Sequence, residues 1–207
     1  MQVQSMHFKQ RAGQKLADVR LQKNLKKLAD KFVTARSAAI DELEDFEATR
    51  DAAVERRNRV LANLDLWLET FERNARAQGA HVLYAETYEE AARLIVEIAT
   101  THGVRKVTKS KSMVSEEIGL NHALEVAGIV PVETDLGEYI LQINDNEAPS
   151  HIIAPVIHKD KEEISDLFAR SHAMPRKTEI TQLTREAREV LRDHFLSADM
   201  GVTGANF

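Results

Sequence analysis

Between residues 8 and 78 the chain has no proline and a single glycine, Gly13, whereas beyond Gly79 short apolar runs alternate with longer amphipathic ones. That change of period limits the fold more than any other feature. In the first segment Leu21, Leu25, Leu28, Phe32, Ala35, Ala39 and Leu43 recur at near-heptad spacing, and Val54, Leu61, Leu64, Leu68 and Phe71 follow the acidic stretch from Asp41 to Glu47. Such spacing predicts two or three helices. Bases from Lys9 to Arg36 precede acids from Asp41 to Glu55, a pattern that reads either as solvated helix faces or as a docking arm for another subunit.

After Gly79, strands are expected over His81–Ala85, Lys106–Thr108 and Ile129–Thr134, with helices over Thr87–Thr101, Ser115–Ala127, Lys159–Ser171 and Glu179–Ser197. Thr87 and Glu90 have the spacing of a capping box. Tyr139–Ile143 and Ile152–Val156 read as further extended segments, and Pro175 separates the last two helices. Strands alternating with helices of this length imply parallel βαβ units, hence an α/β fold with a mostly parallel open sheet. The expected organisation is a helical N-terminal arm over 1–78 and an α/β domain over 79–207.

With 207 residues, 43% of them apolar, the chain can bury one substantial core. A net charge of −5 and one Trp argue against a nucleic-acid partner, which would need a basic face and stacking rings. The chain has no Cys, so thiolate chemistry, disulfides and iron–sulfur ligation have no ligands within it. No signal-peptide pattern or run of about 20 apolar residues is present, and a soluble cytoplasmic protein is expected.

In open α/β sheets ligands gather beyond the carboxyl ends of the strands. The residues expected there are polar: Lys109, Ser110, Lys111 and Ser112 after one strand, Asp135, Gly137 and Glu138 after another, and His158 and Lys159 after Ile152–Ile157. Two ammonium groups and several hydroxyls beside a helix start suit a carboxylate or phosphate. The same stretch also reads as a solvated turn with Ser115 as N-cap. Glu138, Asp135 and His158 are candidate proton carriers, Glu138 and His158 the first choices for catalysis, with a plain loop histidine the alternative for His158. Glu116 joins the anion-site candidates, while Glu117 suits the first helical turn electrostatically. Thr203 and Asn206, set among Gly201 and Gly204, complete the binding candidates. His151, His158 and His172 lack the compact spacing of metal ligands, and no metal is expected. Nucleotide fingerprints and the nucleophile elbow are absent.

Val107–Leu120, Glu133–Tyr139, His151–Lys159 and Gly201–Phe207, in that order, resemble the lactate-utilisation protein B family, whose members carry a LUD domain. The resemblance covers the chain from about Phe8 onward. It implies a sheet of the sugar-phosphate isomerase and CoA-transferase type, incomplete at its C-terminus, and the N-terminal portion of an iron–sulfur subunit that helps oxidise L-lactate to pyruvate. It also implies that [4Fe-4S] clusters belong to a later, cysteine-rich part, so no cofactor is expected in these residues. The expected partners are other subunits of a lactate-utilisation complex and a small carboxylate ligand, with a homodimer open because an interrupted sheet leaves an unpaired edge. The alternatives are a stand-alone isomerase or transferase acting on a sugar phosphate or acyl-CoA, with Glu138 as base or nucleophile, and a purely structural assembly module.

Overall fold

A computed structural model describes residues 5–152 and 154–204. The chain divides into two compact units, one taking in the chain up to Asn24 together with everything from Ala85 onward, the other Leu25–Tyr84.

Four helices, rather than two or three, precede residue 78: α1 (Phe8–Ala17), α2 (Val19–Asp41), α3 (Phe46–Leu61) and α4 (Leu64–Ala77). The extra breaks have local causes. Asp18 leaves helical geometry and its carboxylate accepts the Leu21 N–H, restarting the chain as α2. Asp45 caps α3 by accepting the Ala48 N–H, so the acidic stretch marks a helix start. Of the expected apolar stripe only Leu21 is buried, and Phe32, Leu43, Val54, Leu61, Leu64, Leu68 and Phe71 stay exposed.

The larger unit is built on three parallel strands, β1 (Lys106–Lys109), β2 (Val130–Glu133) and β3 (Met200–Val202), in the order β2-β1-β3. The fold is therefore α/β, mostly helical, around a small open sheet. Its helices are α5 (Tyr88–Thr101), α6 (Met113–Glu117), α7 (Leu120–Val126), α8 (Leu136–Ile143), α9 (Lys161–Ser171) and α10 (Ile180–Ser197). Val107 packs with Ala99, Leu120 and Leu124, while Val132 packs with Tyr139 and Leu191. A third cluster joins Ile140, Leu167, Phe168, Leu183 and Ala187. Both edges of β1 are paired, and Asp199 fixes its entrance by accepting the N–H groups of Arg105 and Lys106.

Several sequence expectations are corrected. His81–Ala85 has no regular structure; Arg76 ties the segment down by donating to the Val82 carbonyl. Tyr139–Ile143 is helical because Asp135 caps α8, accepting the N–H groups of Gly137 and Glu138. Its short apolar run suits a buried helix as well as a strand. Residues 152 and 154–156 form a bend and turns, with Ile153 outside the described residues. The helix expected over Ser115–Ala127 is broken at Gly119, whose φ of 63° lies in the left-handed region. At α5, Thr87 accepts the Glu90 N–H, and the Glu90 carboxylate accepts from Glu86 rather than from Thr87. No described helix is long and apolar enough to cross a membrane.

Candidate functional site

Parallel pairing sets Lys109, the last residue of β1, beside Glu133, the last of β2. Both are buried, Lys109 at 1% exposure and Glu133 at 4%. A charge so placed must be paired. Lys109 Nζ lies 2.8 Å from Glu133 Oε1 and 3.3 Å from Glu116 Oε1, and donates to Ser115 Oγ at 3.1 Å. Asn121 Nδ2 donates to the same Glu133 oxygen at 2.7 Å. Glu133 Oε2 and Asn121 Oδ1 are buried and have no hydrogen-bond partner among the described residues.

Two residues on, the chain turns outward. Lys111 keeps partial exposure and pairs with Glu138, on the first turn of α8, at 3.0 Å. Ser112, not Ser115, is the N-cap of α6, accepting the Ser115 N–H, while the Ser115 hydroxyl donates back to the Ser112 carbonyl. Lys111, Ser112, Glu116, Glu138, Ser150 and His151 surround a pocket of about 280 Å³.

Ser110 Oγ donates to Thr203 Oγ1 at 2.9 Å, tying the turn after β1 to the turn after β3. Gly204 lies so close to Ser112 that a Cβ would collide with the serine side chain. Asp135 is occupied as the α8 cap. Asn206 lies outside the described residues. His158 sits to one side, its Nε2 2.9 Å from Glu147 and its Nδ1 2.7 Å from Ser150 Oγ. Burial pushes the Glu147 carboxyl upward, but hydrogen bonds from Lys159, Asn144 and His158 outweigh it and hold the group below the usual carboxylate range.

The structure thus gathers Lys109, Lys111, Ser112, Glu116 and Glu138 around the carboxyl ends of the strands. It keeps Ser110 and Thr203 as a tie between turns, and His158 reaches the pocket through Ser150. Glu133 and Asn121 were missed, although Glu133 closes an apolar strand directly before Thr134-Asp135. A second buried group was also missed. Tyr139 Oη lies 2.9 Å from His172 Nε2, His172 Nδ1 lies 2.7 Å from Glu186 Oε1, and Lys177 Nζ lies 2.9 Å from Glu186 Oε2. Burial raises the Glu186 carboxyl, yet Lys177 and then His172 hold it below its ordinary value. Burial, reinforced by the Glu186 charge, pushes the Tyr139 phenol up.

A LUD domain model matches residues 68–207. Lactate utilization protein B of Lysinibacillus sphaericus is 42% identical over 207 residues, all of this chain and 44% of that protein. Its namesake from Geobacillus kaustophilus is 45% identical over 180 residues, or 87% of this chain and 38% of that protein. In Bacillus velezensis the corresponding protein is 42% identical over 207 residues, again 44% of its length. The chain spans less than half the length of these relatives. No solved structure matches it.

Proposed function

The chain belongs to the LUD domain family, and from that premise we propose that it serves as the ligand-binding portion of a lactate-utilisation protein. The carrying observation is the Lys111–Glu138 pair, a partly exposed ammonium at the carboxyl end of β1 held by one carboxylate on the wall of a 280 Å³ pocket. The carboxylate of a small 2-hydroxy acid competes with Glu138 for Lys111 through charge-assisted hydrogen bonds. Lys109, neutralised behind the pocket, positions Glu116 and the start of α6 and is not itself the anion donor.

On this reading the protein works in the cytoplasm with other subunits that oxidise L-lactate to pyruvate. The residues of this chain do not fit an iron–sulfur cluster, since it has no Cys. Electron transfer is therefore assigned to sequence or subunits beyond these residues, and no step here runs through a cluster.

Calorimetric titration of the chain with L-lactate tests the proposal. Saturable binding is expected, at least about tenfold weaker in Lys111→Ala and stronger in Glu138→Gln, where the internal competitor is neutral. Absence of binding, or equal affinity in Lys111→Ala, overturns it. Turnover of a sugar phosphate or an acyl-CoA by the chain, abolished in Glu138→Gln, would support the isomerase or transferase alternative instead.

A further inference from the structure

Ser150 is exposed and shares with Lys111 the wall of the 280 Å³ pocket. Its Oγ has two neighbours on its own loop, His158 Nδ1 at 2.7 Å and the Pro155 carbonyl oxygen at 3.1 Å. Behind them, His158 Nε2 lies 2.9 Å from Glu147 Oε1, while Glu147 Oε2 faces Lys159 and accepts from Asn144. Burial opposes ionisation of Glu147, but Lys159, Asn144 and His158 prevail and keep it a carboxylate at neutral pH.

A carboxylate only accepts hydrogen bonds, so His158 Nε2 carries a proton and donates it to Glu147. Two states of the ring remain. In the neutral imidazole Nδ1 is an acceptor and takes the Ser150 proton. In the imidazolium Nδ1 donates to Ser150 Oγ, and the serine proton turns to the Pro155 carbonyl. A hydroxyl has one proton, and in either state the loop uses it. What Ser150 turns to the pocket is therefore a lone pair.

A 2-hydroxy acid and its 2-oxo counterpart differ where this matters, since the hydroxyl can donate a hydrogen bond and the oxo oxygen can only accept one. We propose that Ser150 selects a 2-hydroxy acid over the corresponding 2-oxo acid, its Oγ accepting the ligand hydroxyl while Lys111 holds the carboxylate, with His158 and Glu147 as positioning residues that keep the serine proton turned away. The inference rests on the lactate reading and adds which oxidation state of the ligand the pocket retains. An oxo oxygen in the same place sets acceptor against acceptor and forms no bond. The pocket's other strong acceptors, Glu116 and Glu138, are engaged by Lys109 and Lys111 and carry the same charge as the ligand carboxylate.

The test is calorimetric titration of the full chain with L-lactate and with pyruvate, in the native protein, in Ser150→Ala and in Ser150→Thr. The native protein is expected to bind L-lactate at least about tenfold more tightly than pyruvate. In Ser150→Ala that ratio should fall to within about twofold, through weaker lactate binding with pyruvate little changed. Ser150→Thr keeps the hydroxyl and should restore a ratio of about fivefold or more. Equal loss of both affinities in Ser150→Ala would mean a role in loop structure alone and overturns the proposal. A preference kept in full by Ser150→Ala also overturns it, because the ligand hydroxyl would then sit on Glu116 or Glu138. Equal binding of the two acids by the native protein overturns it while leaving the lactate reading in place, whereas absence of binding by either acid sinks both.

Discussion

A lysine at 1% exposure has given up its hydration and depends on the carboxylates around it. Replacing Lys109 with Met would leave Glu133 charged, buried and without its cation, a loss expected to cost about 3–5 kcal/mol. The measurement is the urea midpoint, and the double variant Lys109→Met/Glu133→Gln should recover much of the loss because the stranded charge goes with it. Glu186 makes a different prediction, through pH. Its carboxyl is held below its ordinary value of 4.5, burial opposing and Lys177 and His172 prevailing. A carboxylate with a lowered folded pKa contributes stability that is complete above the unfolded value of 4.5 and is lost as pH falls through the folded value. Melting temperature should therefore drop below about pH 4.5 in the native protein. In Glu186→Gln it should be lower at neutral pH, by about 1–3 kcal/mol of stability, and decline less steeply in acid.

Helix α8 shows how a single element sets the site. Asp135 fixes its start, and Glu138 on its first turn reaches Lys111. Gly137 is there because a Cβ would come within 2.6 Å of Pro155 Cγ. Gly137→Ala is expected to destabilise by about 1–3 kcal/mol through overpacking, and Asp135→Ala by about 1 kcal/mol through the lost cap, both read from thermal unfolding. This element was hidden in the sequence, because Tyr139-Ile-Leu141 is a short apolar run whose period cannot distinguish a buried helix from a strand. Helix α5 and the parallel strands β1 and β2 were legible, since their caps, lengths and bounding glycines agree. The polar residues beyond the strands were legible too, by the rule for open α/β sheets, and Lys111 and Glu138 do meet there. The burial of Lys109 was not, because it depends on the register that pairs it with Glu133, a tertiary fact without a local signal. The strand expected at His81–Ala85 is absent, the segment being held by side chains instead, with Arg76 donating to the Val82 carbonyl and the Tyr84 hydroxyl to Glu72.

At the scale of the whole chain the two compact units differ in kind. Between residues 25 and 84 no described residue is buried, so helices α3 and α4 lack the packed apolar face from which most helical stability comes. Hydrogen exchange should show it: amides of α3 are expected to exchange about a thousandfold or more faster than those of β1, whose neighbours form a buried core. Comparable protection in both would mean that another surface covers the helices in solution. The central position of β1 has a temporal consequence as well. Its partner β2 follows after one short crossover, but the tie between the turns after β1 and β3 joins residues 93 positions apart. Long separations delay contact formation, because the loop must close before the pairing repays it. A nascent chain leaving the ribosome therefore pairs β1 with β2 early and then waits for β3. During that interval one side of β1 is open to stray strands, and the pace of synthesis between Thr134 and Met200 sets how long the hazard lasts.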